Sequence, residues 1–247
     1  MSSKIYAIWG GKHSGKTTFA VNLACALSRN NLLVGLVSSN LTYGELQTFY
    51  GQSVPKEKGL FEALSDDNPN IGEKFIEYEE CKNLFYLSAP TRYTGMLCDT
   101  VTLQSVERMM NAAALVFDIL LVDGASEINN PVSGVALWLA DRIFTLHKPS
   151  IAAQVWHRGV SDFARELHIV EKQTHILRMP NGDFDEKAYR SLMELPFAYE
   201  LPYVKRAGEL ENAGKPLWFF HDRPCRRCSR VLEKIANGMS GGEKRER

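Results

Sequence analysis

Gly10-Gly11-Lys12-His13-Ser14-Gly15-Lys16-Thr17-Thr18 follows the apolar run Lys4-Ile5-Tyr6-Ala7-Ile8-Trp9 and precedes Ala20, Leu23, Ala24 and Leu27 at helical spacing. Strand, glycine turn and helix therefore succeed one another at the start of the chain. Gly10-x4-Gly15-Lys16-Thr17 has the Walker A spacing, in the strand-to-helix context that its mechanism requires. Glycines let backbone N–H groups turn inward around phosphate oxygens, and the helix N-terminus adds positive potential. Lys16 is placed to reach the β- and γ-phosphates and Thr17 to ligate Mg²⁺. The stretch Gly10 to Thr18, with Gly11, Lys12, His13, Ser14 and Gly15 inside it, is thus expected to hold a nucleotide. His13 itself reads as a tolerated surface residue rather than an acid or base.

Outward from the loop, Leu33 to Ser38 reads as a second strand and completes a βαβ unit. Strand-length apolar runs recur at Leu84 to Leu87, Ile119 to Val122, Ile143 to Leu146, His175 to Met179 and Phe197 to Leu201, with helix-length segments between most of them. Near-continuous apolar strands alternating with helices predict an α/β fold, a single P-loop NTPase domain whose mainly parallel sheet is covered on both faces. A chain of 247 residues with 45% hydrophobic content suits one such domain. Its expected span is 1–238, with a polar, disordered tail at 239–247. The 29 basic residues balance the 29 acidic ones, so no global field argues for a polyanionic partner.

Phe117-Asp118-Ile119-Leu120-Leu121-Val122-Asp123-Gly124 is an apolar strand ending in a carboxylate, placed as a Walker B aspartate is. Asp123 is the expected second Mg²⁺ residue beside Thr17. Its alternative task is to cap the following Asp-Gly turn. Asp118, at the strand's start, is expected to face solvent.

With these pieces in place the sequence resembles the MinD/ParA (SIMIBI) branch of P-loop ATPases, which includes the TadZ/CpaE-like proteins. The likeness rests on Gly15-Lys16-Thr17-Thr18 with Ala20-x-Asn22-Leu23-Ala24, on Asn83 to Pro90, on Phe117 to Gly124, and on Ala140-Asp141-Arg142-Ile143. It also rests on Glu200-Leu201-Pro202-Tyr203 leading to Gly214-Lys215-Pro216. The resemblance implies ATP and Mg²⁺ as cofactors, a face-to-face homodimer closed by ATP and reopened by hydrolysis, and an unidentified protein partner or cargo that the cycle positions. Lys16 and Asp123 are its catalytic candidates.

Two departures bear on mechanism. The family's interface lysine would fall at position 11, where this chain has Gly11; Lys12 reads either as its substitute or as a solvated loop charge. Where the family has an Asp-x-Asp pattern after the second strand, this chain has Ser38-Ser39-Asn40. Asn40, the third catalytic candidate, can orient water but cannot accept its proton, so hydrolysis is expected to be weak or atypical. The family's adenine-selecting asparagine is matched only by Asn181 after an offset, and Pro202 is the alternative flank for the base.

Cys225-Arg226-Arg227-Cys228 has the spacing of half a metal site, and an iron–sulfur carrier ATPase is one alternative function; the pair reads otherwise as ordinary thiols near a terminal helix. A second alternative is a P-loop small-molecule kinase or transferase, but Pro55 to Glu80 does not read as a substrate lid. Residues 222–247 carry eight Lys/Arg against four Asp/Glu, a local net of +4. DNA or membrane contact there is disfavoured against a solvated terminal helix packed by Val231, Leu232, Ile235, Ala236 and Met239. Trp138, Trp156 and Trp218 read as packing residues. Met1-Ser2-Ser3-Lys4 resembles no export signal, and the odd count of five cysteines points to reduced thiols, so the expected location is cytoplasmic.

Overall fold

The structure, a computed structural model, describes residues 4–65, 70–92, 100–179 and 185–240. Among them an eight-stranded sheet runs in the order β3-β4-β2-β5-β1-β6-β7-β8. Its strands are β1 (Lys4–Gly10), β2 (Val34–Ser38), β3 (Ile76–Glu77), β4 (Leu84–Leu87), β5 (Ile119–Asp123), β6 (Arg142–His147), β7 (Gln173–Arg178) and β8 (Phe197–Leu201). All neighbours pair in parallel except β3, which lies antiparallel on the β4 edge through only two residues. A strand that short leaves no alternation for a sequence reading to detect. The others fall where the apolar runs predict.

Period-two side-chain alternation divides the core. Tyr6 and Ile8 of β1, with Leu36, Leu121 and Phe144, face one layer, formed by α1 (Lys16–Ser28) and α9 (Arg223–Ser240). Ile5, Ala7 and Trp9, with Val37, Leu120 and Val122, face α4 (Leu103–Val116), α5 (Pro131–Leu139) and α6 (Ile151–Glu166). The inner parallel strands are buried on both faces for this reason, β2 and β5 at every position, whereas the edge strand β8 alternates half-buried and exposed residues. Shorter helices α2 (Leu46–Tyr50), α3 (Leu60–Ser65), α7 (Glu186–Met193) and α8 (Ala207–Asn212) complete the layers.

The terminal helix buries Cys225, Cys228, Leu232, Ile235, Ala236 and Met239 at steps of three and four residues, the stripe that docks it on α1. It continues through Ser240, two residues past the expected domain end; 241–247 and Asn181 lie outside the described residues. Segment 55–80 packs Leu60, Leu64, Ile71 and Phe75 into the core. No helix among the described residues is long and apolar enough to cross a membrane.

Candidate functional site

The site follows from strand order. β1 is central, and its C-terminal end lies between the C-terminal ends of β5 and β6, so Ile8 pairs with Asp123 and Gly10 with Leu146. Helices diverge from this edge and leave a cavity of about 900 Å³. A β-carbon on Gly10 would lie 2.5 Å from the Leu146 carbonyl oxygen, so only glycine lets the loop leave the sheet there. Gly15 is the N-cap of α1 and contributes no side-chain cap, leaving the helix's first N–H groups open toward the cavity.

Lys12, His13, Ser14, Gly15, Lys16, Thr17 and Thr18 line this cavity together with Asn40, Asp123 and Pro202. Gly10 and Gly11 form the stem beneath. The structure thus assembles nearly all the sequence candidates around one space.

Lys16 is folded back on its own loop. Its Nζ donates to the carbonyl oxygens of Gly10 and Gly11, both at 3.1 Å, and to Ser126 Oγ at 2.8 Å. Burial lowers its pKa, while Asp123, Glu127 and Glu45 pull it back up. Thr17 Oγ1 lies 3.4 Å from Glu45 Oε1. Asp123, 3% exposed, has its pKa raised to about 7, by burial first and then by the charge of Glu45; hydrogen bonding from Thr17 and the charge of Lys16 oppose the rise.

Two buried polar atoms at the site lack a hydrogen-bond partner: Ser14 Oγ and Asp123 Oδ1. Unsatisfied buried oxygens are costly, and here both border the loop that would receive phosphate oxygens and a cation. The donors and acceptors present therefore fit a phosphate-bound Mg²⁺: a hydroxyl, a carboxylate and open helix N–H groups.

The remaining candidates make local contacts. Asn40 does not present its amide to the cavity centre. Its Oδ1 accepts from Thr42 N at 2.9 Å, Thr42 Oγ1 at 2.7 Å and Tyr43 N at 3.2 Å, while its Nδ2 donates to Glu45 Oε2 at 3.2 Å. It shapes the loop that carries Glu45. Lys12 pairs with Glu127 at 3.0 Å on the exposed rim. His13 has a left-handed backbone, φ 59°, and its carbonyl accepts from Arg178.

Cys225 and Cys228 are both buried, in the α1–α9 layer, and burial pushes their thiols up to about 12 and about 11. They are core thiols, and no group of three or more His, Cys, Asp or Glu among the described residues is arranged for a metal ion. Trp218 is buried, whereas Trp138 is 54% exposed.

Sequence reading missed Glu45, Ser126, Glu127, Arg178 and Glu211 as site residues. Ser126 and Glu127 follow the Asp123 strand closely enough to have been signalled by adjacency. Glu45 and Glu211 carry no spacing signal: Glu45 arrives from the loop after β2, and Glu211 Oε1 accepts from Thr18 Oγ1 across the cavity. Trp156 crosses from α6 to pack on Gly11, donates from Nε1 to the Ser126 carbonyl at 3.0 Å, and meets Trp9 edge-on.

A central strand ending in this glycine loop, beside a strand ending in a buried aspartate, defines a P-loop NTPase fold. More specifically, the chain has the fold of the MinD/ParA-type ATPases. The septum site-determining protein MinD in complex with Mg-ADP from Pyrococcus horikoshii superimposes with a TM-score of 0.79 over 99% of this chain and 100% of that one, at 18% identity. A ParA-family ATPase from Chlorobium tepidum gives 0.78 at 16% identity, over 96% and 98% of the two chains. The MinC:MinD cell division protein complex of Aquifex aeolicus gives 0.77 at 15% identity, over 99% of each. No family model and no curated protein matches the sequence.

Proposed function

We propose that this protein binds ATP with Mg²⁺ and acts as a nucleotide-dependent homodimerising switch that positions or regulates a protein partner, with slow hydrolysis. The observation that carries the reading is the phosphate end of the cavity. Lys16 rests on two backbone carbonyls, and the adjacent Ser14 Oγ and Asp123 Oδ1 have no partner. Phosphate oxygens would draw Lys16 from carbonyl acceptors onto charged ones, a stronger class of hydrogen bond.

The loop N–H groups and the α1 N-terminus would hold the phosphates, and Thr17 and Asp123 the cation. Mg²⁺, when bound, neutralises charge on the β- and γ-oxygens. Pro202, which lines the same cavity, would flank the base. Slow turnover is supported by Asn40, whose oxygen already accepts three local hydrogen bonds and which has no proton-accepting group for water.

Self-association is supported by apolar exposure beside the loop. Ile128 is 42%, Ile151 74% and Val155 64% exposed, on the segment after β5 and on α6, both of which touch the phosphate loop. The neighbours in complex with Mg-ADP and with MinC make nucleotide binding and partner engagement the natural reading for the same fold.

Size-exclusion chromatography with light scattering, with and without a nonhydrolysable ATP analogue and Mg²⁺, tests the switch. A dimer only with the analogue is expected; a constant monomer that nonetheless binds the analogue overturns the dimerising role. Phosphate release by purified protein tests the rate, and rapid turnover without any partner contradicts slow hydrolysis.

A further inference from the structure

One carboxylate at the Thr17 hydroxyl, that of Glu45, comes from outside the loop and strand motifs. Gly44 passes so close to the end of β4 that a β-carbon there would lie 2.5 Å from the Ala89 carbonyl oxygen. That approach carries the next residue, Glu45, over the phosphate end of the cavity, which it lines. Asn40 holds Glu45 Oε2, and Glu45 Oε1 faces Thr17 Oγ1 at 3.4 Å.

Thr17 also hydrogen-bonds the Asp123 carboxylate, whose Oδ1 is buried with no partner among the described residues. Two carboxylates therefore converge on one hydroxyl. The adjacent ammonium group, Lys16 Nζ, donates to Gly10 O, Gly11 O and Ser126 Oγ, none of them a carboxylate. Two carboxylates brought to one hydroxyl, Asp123 buried and Glu45 half-buried, favour a cation between them.

From this geometry we infer that Glu45 is a third protein ligand, beside Thr17 and Asp123, for the divalent cation that accompanies the nucleotide phosphates. The inference rests on the ATP and Mg²⁺ reading above. Two carboxylates and a hydroxyl completed by phosphate oxygens suit Mg²⁺, which is held by one or two carboxylates plus substrate rather than by an all-protein cage. Among the described residues no group of three or more His, Cys, Asp or Glu is arranged for a metal ion, and phosphate oxygens would complete the ligand set. Glu45 then ties the loop after β2 to the bound cation, and Asn40 becomes its positioning residue.

The test is a Mg²⁺ titration of fluorescent ATP-analogue binding to wild-type protein, Glu45→Gln and Glu45→Asp, with a parallel measurement in EDTA. Glu45→Gln is expected to raise the Mg²⁺ concentration for half-saturation by about tenfold or more. Its affinity in EDTA should be unchanged or higher, because a negative charge beside the phosphates has gone. Glu45→Asp should fall between. Equal Mg²⁺ half-saturation in wild type and Glu45→Gln overturns the cation role, as does an equal loss of affinity with Mg²⁺ and in EDTA, which would mark Glu45 as pocket structure. A wild-type protein that binds no analogue in either condition sinks the nucleotide reading itself, whereas wild-type binding with no Glu45 effect sinks only this inference.

Discussion

Lys16 Nζ and Ser126 Oγ are joined by a 2.8 Å hydrogen bond that ties the phosphate loop to the segment after β5. The Ser126 carbonyl in turn accepts from the Trp156 indole. Nucleotide binding that moves Lys16 onto phosphate would free Ser126 and alter the environment of Trp156. Intrinsic fluorescence should change when ATP and Mg²⁺ are added, and Trp156→Phe should remove most of that change although Trp9, Trp138 and Trp218 remain. An undiminished change in Trp156→Phe would break the proposed link.

Lys16→Ala should reduce ATP affinity by about 1.5–3 kcal/mol, the range for hydrogen bonds to charged groups, measured by calorimetry. The fold should persist, because the Lys16 ammonium bonds only to two carbonyls and a hydroxyl at the cavity edge. ATP affinity equal to wild type would remove Lys16 from phosphate binding.

Gly10→Ala should destabilise the protein by about 1–3 kcal/mol, since φ 150° and a contact of 2.5 Å with backbone cannot be relieved by a side-chain rotation. Denaturant unfolding measures this. A change under about 0.5 kcal/mol would mean that the loop stem relaxes freely.

Lys12 and Glu127 form an ion pair with side chains 73% and 50% exposed, so Lys12→Ala should alter stability by less than about 1 kcal/mol. Its effect should appear in assembly instead: analogue-dependent dimerisation weakened while ATP affinity stays within a few-fold. Dimerisation equal to wild type assigns Lys12 to the solvated rim.

A buried histidine group predicts acid sensitivity. His147 donates or accepts through Nε2 with His175 Nδ1 at 3.1 Å and through Nδ1 with Tyr189 Oη at 3.3 Å, and the His157 ring stands 5.5 Å away. Burial lowers His147 to about 3 and His175 to about 4, with His157 also lowered; neighbouring imidazoles add to the burial effect for the first two. Depressed histidines bind fewer protons folded than unfolded, so their stabilising contribution is present above the unfolded value near 6.5 and is lost as pH falls toward 4. Melting temperature should drop between pH 7.5 and 5.5, and less steeply in His147→Gln. Identical pH slopes in the two proteins would show that the cluster does not titrate on unfolding.

The order of elements was legible because the inner strands of the parallel sheet are nearly continuous apolar runs: Ile119 to Val122 reads as a buried strand, and Gly10 to Thr18 lies between an apolar run and a helical pattern. The two-residue β3 was not legible, since its pairing depends on lying beside β4 rather than on any pattern of its own. For the site, local spacing along the chain singled out Lys16, Thr17 and Asp123, whose tasks follow from their place at a strand end or helix start. Asn40 was found at the right place in the chain, but its side chain is consumed by Thr42, Tyr43 and Glu45.

By itself, then, the amino-acid sequence determined the α/β class, the phosphate loop and the aspartate beside it, because these depend on periodicity and fixed spacing along the chain. Only the tertiary structure decided that Glu45 meets Thr17, that Lys16 leans on Ser126, that Trp156 backs Gly11, and that Cys225 and Cys228 are buried. Those relationships join residues from separate elements, and their distances are set by how helices pack on the two faces of the sheet rather than by the local order of residues.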